Sequence, residues 1–199
     1  MTFTRIEALR AVVEALPDAA FVVTCGATSR EMAHVVDRPG NLYLLDSMGL
    51  TTSVGLGVAI GLASRGTHVV AIDGDGSLLM NLGSVATIGA VAPANLTVLL
   101  LDNGEHASAG GFPTISPSLD LVGLARSCRF EAAACTTPAE MTSQLRAAAG
   151  TDRPHFLRVL IDRGNTPGVP WLHADPVVVG DRFRTWALAT APAGEASHG

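Results

Sequence analysis

Short apolar runs alternate with amphipathic segments along most of the chain. Apolar side chains recur at helical spacing from Arg5 to Leu16, and Pro17 ends that pattern before the apolar run Ala20–Thr24, which is typical of a buried strand. The same alternation predicts further helices at Ser29–Val36, Ser53–Ser64, Ser77–Ala92, Leu119–Cys128, Thr137–Ala149 and Asp181–Leu188. It predicts further strands at Leu42–Leu45, His68–Ile72, Leu96–Leu101, Arg129–Ala133 and Pro154–Ile161. Such an order predicts an α/β fold in three layers, with a mostly parallel sheet covered by helices on both faces.

The size and composition of the chain suit one domain. Its 199 residues are 48% hydrophobic, which is enough for one well-buried core of ordinary size. We expect this domain to cover residues 1–188, with an extended crossing segment from Gly164 to Pro176 and a disordered tail at 189–199. The apolar runs are far shorter than the roughly 20 residues of a membrane helix, and the first residues lack the pattern of an export signal. These features predict a cytoplasmic protein.

Charge and cysteine content argue against several classes of function. The net charge is -5, and the 13 basic residues are all arginines scattered along the chain, so we expect no nucleic-acid partner. The three cysteines form no Cys-X-X-Cys pair, so neither a disulfide framework nor a zinc site is indicated.

The most informative polar residues follow two neighbouring predicted strands. Asp75 lies in the turn Gly74-Asp-Gly-Ser77 after one strand, and Asn103 follows the next. Both side chains are therefore expected at one edge of a parallel sheet, where the ligands of such sheets bind. A carboxylate, an amide oxygen and a nearby carbonyl suit Mg²⁺ that also holds a diphosphate. Gly74 and Gly76 let the backbone approach phosphates, and a helix that starts at Ser77 offers N–H groups, although Gly-Asp-Gly by itself is also common in ordinary turns.

These residues and their spacing resemble the diphosphate-binding domain of thiamine-diphosphate enzymes. The resemblance implies that Asp75 and Asn103 are side-chain ligands of Mg²⁺ and that the main-chain carbonyl of Glu105 is the third ligand. A second stretch, Asp46-Ser-Met-Gly, is similar to the segment of the family that bends the cofactor. It implies that Met48 wedges between the two rings of thiamine diphosphate and that the Asp46 carbonyl accepts a hydrogen bond from the 4′-amino group. An ordinary core position is the alternative for Met48.

Within this family the chain is most similar to phosphonopyruvate decarboxylase and to the beta subunit of sulfopyruvate decarboxylase, from about Thr4 to Leu188. The likeness implies decarboxylation of a three-carbon 2-oxo acid with an anionic tail to an aldehyde and CO₂. The relatives have a Thr-Gly-Gly-Gln-like sequence where this chain has Ala109-Gly-Gly-Phe112, a difference at the expected mouth of the site. The cofactor-binding residues implied are Gly26, Thr28, Ser29, Asp46, Ser47, Met48, Gly74, Asp75, Gly76, Ser77, Asn103 and Glu105.

Three further residues are candidates for contact with the substrate. His106 is the candidate for proton transfer, because histidine exchanges protons near neutral pH, and Ser108 is the candidate to line the same pocket. A structural loop histidine is the alternative for His106. Arg30 is the candidate to bind the anionic tail of the substrate, with a surface ion pair as its alternative. For Ser29 the alternative to a diphosphate contact is a helix N-cap.

The family resemblance also implies a partner. In this family the cofactor is ionised by a glutamate of a separate pyrimidine-binding domain, which we do not find in this sequence. We therefore expect an alpha subunit that carries this glutamate, a hetero-oligomer of α2β2 or larger size, and no activity without the partner.

Three other functions remain open at this point. The same cofactor chemistry serves carboligation or acyl transfer, and a binding module without catalysis could keep the same fold. A nicotinamide-dinucleotide site is suggested by the glycines from Gly55 to Gly61, with Asp73 or Asp75 about 20 residues further on. Their position argues against that site, because Gly55 follows its strand by about ten residues instead of lying in the tight turn.

Overall fold

A central parallel sheet organises the structure, a computed structural model that describes residues 3–189. The strands are β1 Ala20–Val23, β2 Asn41–Tyr43, β3 Val69–Gly74, β4 Leu96–Asp102, β5 Glu105–His106, β6 Phe112–Pro113, β7 Glu131–Cys135 and β8 His155–Leu160. Six of them form the sheet in the order β2-β1-β3-β4-β8-β7, with every neighbouring pair parallel. The short strands β5 and β6 form a separate antiparallel pair.

Helices cover both faces of this sheet. They are α1 Arg5–Ala15, α2 Ala27–Val35, α3 Thr51–Leu62, α4 Asp75–Met80, α5 Gly83–Val91, α6 Leu121–Ser127, α7 Pro138–Ala148 and α8 Pro176–Ala189. Successive strand residues point to opposite faces, so Phe21 and Ile72 join one apolar cluster with α1, α2 and α7, while Val22 and Ala71 join another with α3, α5, α6 and α8. The predicted three-layer α/β fold is confirmed.

Local capping chemistry explains the helix ends that the sequence predicted well. Thr137 caps α7, with Pro138 at the first helical position and the Glu140 side chain reaching back to the cap backbone. Thr4 and Glu7 form the same capping box at α1. These signals are local, and the predicted and observed ends of the two helices therefore agree within one residue.

The helix predicted from Ser77 to Ala92 is wrong as a single element. It is divided into α4 and α5, because Asn81 leaves the helical conformation (φ -144°, ψ 51°). The Asn81 carbonyl then accepts hydrogen bonds from the backbone N–H and the hydroxyl of Ser84, at 3.0 Å and 2.8 Å. The break lets α4 pack against β5 while α5 packs against α3 and α6.

The last helix is also longer than predicted. It begins at Pro176, the last residue of the predicted extended segment, because the Asp175 side chain accepts from the Val177 N–H at 2.8 Å and proline fits the first helical turn. It includes Ala189, the first residue of the predicted tail; residues 190–199, and residues 1–2 of the predicted domain, lie outside the described residues. Between residues 3 and 189, no helix is long and apolar enough to cross a bilayer.

Two helical glycines, one beside open space and one in close contact with backbone, lead us to expect opposite effects of alanine substitution on the free energy of unfolding. A Cβ at Gly57 in α3 would meet no atom within 4 Å, whereas a Cβ at Gly89 in α5 would overlap the Cys128 carbonyl. We expect Gly57→Ala to raise the free energy of unfolding by about 0.5–1 kcal/mol through helix propensity. We expect Gly89→Ala to lower it by roughly 1–3 kcal/mol through overpacking. Urea denaturation of both variants measures the two changes, and equal effects would contradict the packing described here.

Candidate functional site

A cavity opens at the carboxyl ends of β1, β3 and β4, the sheet edge where the sequence predicted a site. The segments that follow these three strands provide most of its lining, and Arg5 and Met48 complete it. The predicted site residues that line it are Thr28, Met48, Gly74, Asp75, Gly76, Ser77, Asn103, Glu105, His106 and Ser108. The structure thus brings most of the predicted residues together around one cavity.

Asp75 and Asn103 reach this cavity from adjacent parallel strands. Asp75 is the first residue of α4, directly after β3, and Asn103 directly follows β4; their exposed fractions are 1% and 8%. The pKa of Asp75 is raised overall. Burial is the largest cause and the nearby Asp102 carboxylate adds to it, while the hydrogen bond from the Thr114 hydroxyl acts in the opposite direction. A cation held at Asp75 would compensate the cost of burying this carboxylate.

The backbone of Glu105 is suited to offer its carbonyl to the same place. The carbonyls on either side of it, Gly104 and His106, accept from Thr114 and Gly111 in the β5–β6 pair, each at 3.0 Å. Since peptide groups alternate in direction along a strand, the Glu105 carbonyl is directed away from β6. The side-chain carboxylate of Glu105 accepts a hydrogen bond from the Gly164 N–H at 2.7 Å, so the side chain is held by the loop after β8.

His106 and Ser108 lie very close to two glycines, Gly76 of the cavity lining and Gly26 at the start of α2. A Cβ at Gly76 would overlap the His106 ring, with Cε1 only 2.6 Å away. Gly26 has a φ of +80°, and a Cβ there would lie 2.5 Å from the Ser108 hydroxyl. The two glycines therefore allow the segment with both candidate side chains to lie against the turns after β1 and β3.

The contacts and exposure of three predicted residues, Ser77, Met48 and Ser29, bear on the roles expected for them. The Ser77 hydroxyl accepts from the Gly49 N–H at 2.9 Å and from the Thr24 hydroxyl at 3.2 Å, so it ties the loop of Met48 to α4. Met48 is 37% exposed, so it does not occupy a core position. The Ser29 hydroxyl donates to the Thr24 carbonyl at 2.5 Å; the alternative of an N-cap is wrong, because Gly26 holds that position in α2.

Asp46, Ser47 and Arg30 do not line the cavity. Asp46 and Ser47 precede Met48, and the Ser47 carbonyl accepts from the Leu50 N–H at 3.2 Å to form the turn. Arg30 does not line the cavity either; its guanidinium lies over the Trp171 ring, 5.1 Å from the ring centre. The roles suggested for these three residues stay predictions.

A buried ion pair next to the cavity was not predicted. Arg5 lines the cavity and donates to Glu31 at 2.9 Å, and Glu31 is fully buried. Glu31 also accepts from the Thr166 N–H at 2.9 Å, while Arg5 donates to the Gly164 carbonyl at 3.2 Å, so the pair holds the loop after β8. Nothing local in the sequence connects Glu31 with Arg5, 26 residues away.

The segment Ala109–Phe112, whose sequence differs from that of the relatives, contains two glycines in left-handed backbone conformations. Gly110 and Gly111 have φ values of +86° and +74°, conformations that side chains other than glycine rarely adopt. Ala109 lines the cavity, whereas Phe112 is 68% exposed. The departure from the relatives at Ala109 therefore affects the lining, and the departure at Phe112 affects the outer surface.

The glycines that suggested a dinucleotide site belong to a helix. Gly55, Gly57 and Gly61 all lie within α3, away from the end of a strand. A Cβ at Gly55 would lie 2.7 Å from the Cβ of Ala71, so this glycine allows α3 to pack closely on β3. The nicotinamide-dinucleotide interpretation is therefore not supported.

The chain is similar in sequence to known proteins. The family model described as thiamine pyrophosphate enzyme, C-terminal TPP binding domain, matches residues 24–159. The chain is 43% identical to phosphonopyruvate decarboxylase of Streptomyces viridochromogenes over 98% of this chain and 48% of that protein. It is 36% identical to sulfopyruvate decarboxylase subunit beta of Methanothermobacter thermautotrophicus over 92% of this chain and 95% of that subunit. The chain thus spans about half the length of the phosphonopyruvate decarboxylases it matches.

Solved structures show the same fold. Benzoylformate decarboxylase from Polynucleobacter necessarius matches with a TM-score of 0.70 and 18% identity, over 80% of this chain and 33% of that protein. The 4-hydroxybenzoylformate decarboxylase of Rhodococcus jostii RHA1 matches with a TM-score of 0.69, also at 18% identity, over 83% of this chain and 34% of that protein.

The contact between Gly76 and His106 gives a prediction about the position of the imidazole. We expect Gly76→Ala to displace the His106 ring, because the new Cβ would occupy its place. NMR signals of the histidine rings, with His106 assigned through His106→Gln, measure the change. Gly74→Ala is the matched control, since a Cβ there would meet no atom within 4 Å. An unshifted His106 signal in Gly76→Ala would contradict the close contact.

Proposed function

The chain belongs to the C-terminal TPP-binding domain family of thiamine pyrophosphate enzymes, and from this premise we propose that it is the diphosphate-binding part of a 2-oxo acid decarboxylase. Its substrate is a three-carbon 2-oxo acid with an anionic tail, of the phosphonopyruvate or sulfopyruvate type, and its products are an aldehyde and CO₂. Relatives with both names, at 43% and 36% identity, support this substrate class.

The observation that carries the proposal is the convergence of Asp75 and Asn103 from adjacent strands on one cavity. With the Glu105 carbonyl they offer three oxygen donors from a carboxylate, an amide and the backbone, the hard ligands that Mg²⁺ prefers. The remaining positions of an octahedral Mg²⁺ would take diphosphate oxygens and water. Gly74 adds an open stretch of backbone, since a Cβ there would meet nothing within 4 Å, so phosphates can come close.

The residues around this site have separate roles in the proposal. When bound, thiamine diphosphate supplies the nucleophilic carbon and the electron sink for the loss of CO₂. Met48, which lines the cavity and is partly exposed, supports the bent shape of the cofactor, and the Gly49–Ser77 hydrogen bond keeps the Met48 loop in place. The imidazole of His106 exchanges a proton with the substrate, and Ser108 lines the substrate side next to it.

A pyrimidine-binding region on another polypeptide segment completes the site in our proposal and contributes the activating glutamate. Three observations support this. Residues 24–159 match a C-terminal TPP-binding domain, and the sulfopyruvate decarboxylase relative of nearly equal extent is named subunit beta. The partial exposure of Met48 next to the cavity also fits a cofactor that is covered from outside.

Binding of the cofactor is the first test. We expect thiamine diphosphate to raise the melting temperature of the purified chain in the presence of Mg²⁺ and much less in its absence, because a ligand that binds only the folded state stabilises it. Asp75→Asn should abolish the dependence on Mg²⁺, since it removes the carboxylate charge at constant size. Asp152→Asn, at an exposed loop position, is the matched control. A stabilising response to NAD instead would sink the proposal.

Turnover is the second test. We expect the chain alone, with thiamine diphosphate and Mg²⁺, to release no CO₂ from phosphonopyruvate or sulfopyruvate, and to release it when combined with a pyrimidine-binding polypeptide from the same organism. In that combination, His106→Gln should lower kcat by about 10²–10⁴-fold while cofactor affinity is retained, because it removes only proton transfer. Full turnover by the chain alone would refute the need for a partner.

A further inference from the structure

We propose that Thr114 is a positioning residue for Asp75 and that it orients this carboxylate for the divalent cation. The inference rests on the proposed function and adds a residue to it. Thr114 follows β6, is half-buried, and lies 39 residues from Asp75 along the chain. Its effect on the reaction is indirect, because its contact is with the carboxylate.

The contact between the two side chains is short and directional. The Thr114 hydroxyl donates to Oδ2 of Asp75 at 2.5 Å. The same hydroxyl oxygen accepts from the Ser116 N–H at 3.3 Å, so its single proton is free to point at Asp75. One carboxylate oxygen is thus fixed by a hydrogen bond, and a carboxylate, with about four lone-pair positions, retains acceptor capacity for a cation.

The backbone around Thr114 is fixed independently of Asp75. The Thr114 N–H donates to the Gly104 carbonyl at 3.0 Å, which joins it to the segment directly after Asn103. Its neighbours Phe112 and Ile115 are 68% and 63% exposed, so apolar burial does little to anchor this segment. Polar contacts must therefore hold Thr114 in place.

A buried ion pair behind the segment supplies those contacts. The Ser116 hydroxyl donates to Oδ1 of Asp102 at 2.6 Å, and Arg158 donates to Oδ2 of Asp102 at 2.7 Å. Arg158 also donates to the carbonyls of Ser116 and Leu119, at 3.0 Å and 3.3 Å. Asp102 is only 4% exposed, and its contacts with Arg158 keep this buried charge paired.

The ion pair connects both proposed metal ligands. Asp102 directly precedes Asn103 at the end of β4, and through Ser116 and Thr114 it is linked to Asp75 at the end of β3. Outer residues that orient metal ligands typically change metal affinity by about 10–100-fold when they are replaced. A loss of this size on removing the Thr114 hydroxyl is what separates a positioning role from simple closure of the loop.

The experiment measures the Mg²⁺ dissociation constant of the chain by calorimetric titration at saturating thiamine diphosphate. We expect Thr114→Val, which keeps the shape but removes the hydroxyl, to raise the constant by about 10–100-fold. Thr114→Ser should restore a value close to that of the wild type, and Thr114→Ala should behave like Thr114→Val. Thr87→Val is the matched control, because the Thr87 hydroxyl donates to the Gly83 carbonyl on the exposed side of α5, at a distance of 3.4 Å.

The outcomes separate this inference from the proposed function. Equal Mg²⁺ affinity in wild type and Thr114→Val would overturn it, and so would an equal loss in Thr114→Val and Thr114→Ser, which would assign the effect to packing. A wild-type chain that binds thiamine diphosphate equally well without Mg²⁺ would overturn the proposed metal site itself. Melting temperatures of the ligand-free variants are measured alongside, to test that each variant is folded.

Discussion

The site depends on the parallel register between β3 and β4. Val69 lies opposite Leu96 and Gly74 opposite Leu101, so the polar residues that follow both strands emerge at the same edge. A slip of one residue would send each side chain of one strand to the opposite face. Burial on both faces of the sheet prevents such a slip, because Val70 and Ile72 pack in one apolar cluster and Val69 and Ala71 in the other.

Around this edge, protein contacts already engage most polar side chains of the candidate site. The hydroxyls of Ser29 and Ser77 and the carboxylate of Glu105 all have partners in the chain. Asp75 and Asn103 also accept hydrogen bonds, from Thr114 and from the Glu105 N–H, but their oxygens have further lone pairs for a cation, and a Cβ at Gly74 would meet no atom within 4 Å. Such an arrangement fixes the geometry before any ligand binds, so less ordering is needed at the moment of binding.

Two ion pairs also hold backbone segments of the structure in place. Arg5–Glu31 fixes the loop after β8 against α1 and α2, and Asp102–Arg158 fixes the segment that contains Thr114. Both pairs are largely buried, so removing one partner would leave an uncompensated charge in the interior. The cavity wall therefore depends on residues that themselves make no proposed contact with the cofactor.

The sequence by itself determined the α/β order, the capped helices and the position of Asp75 and Asn103 at one sheet edge. These features follow from periodicity, caps and turn residues, which act between near neighbours in the chain. Tertiary structure decided the break at Asn81, because the local sequence is compatible with a continuous helix and only the different packing of α4 and α5 requires the change of direction. It also decided the partners of Asp75 and Glu31, because Thr114 and Arg5 lie 39 and 26 residues away and only the folded chain brings these side chains into contact.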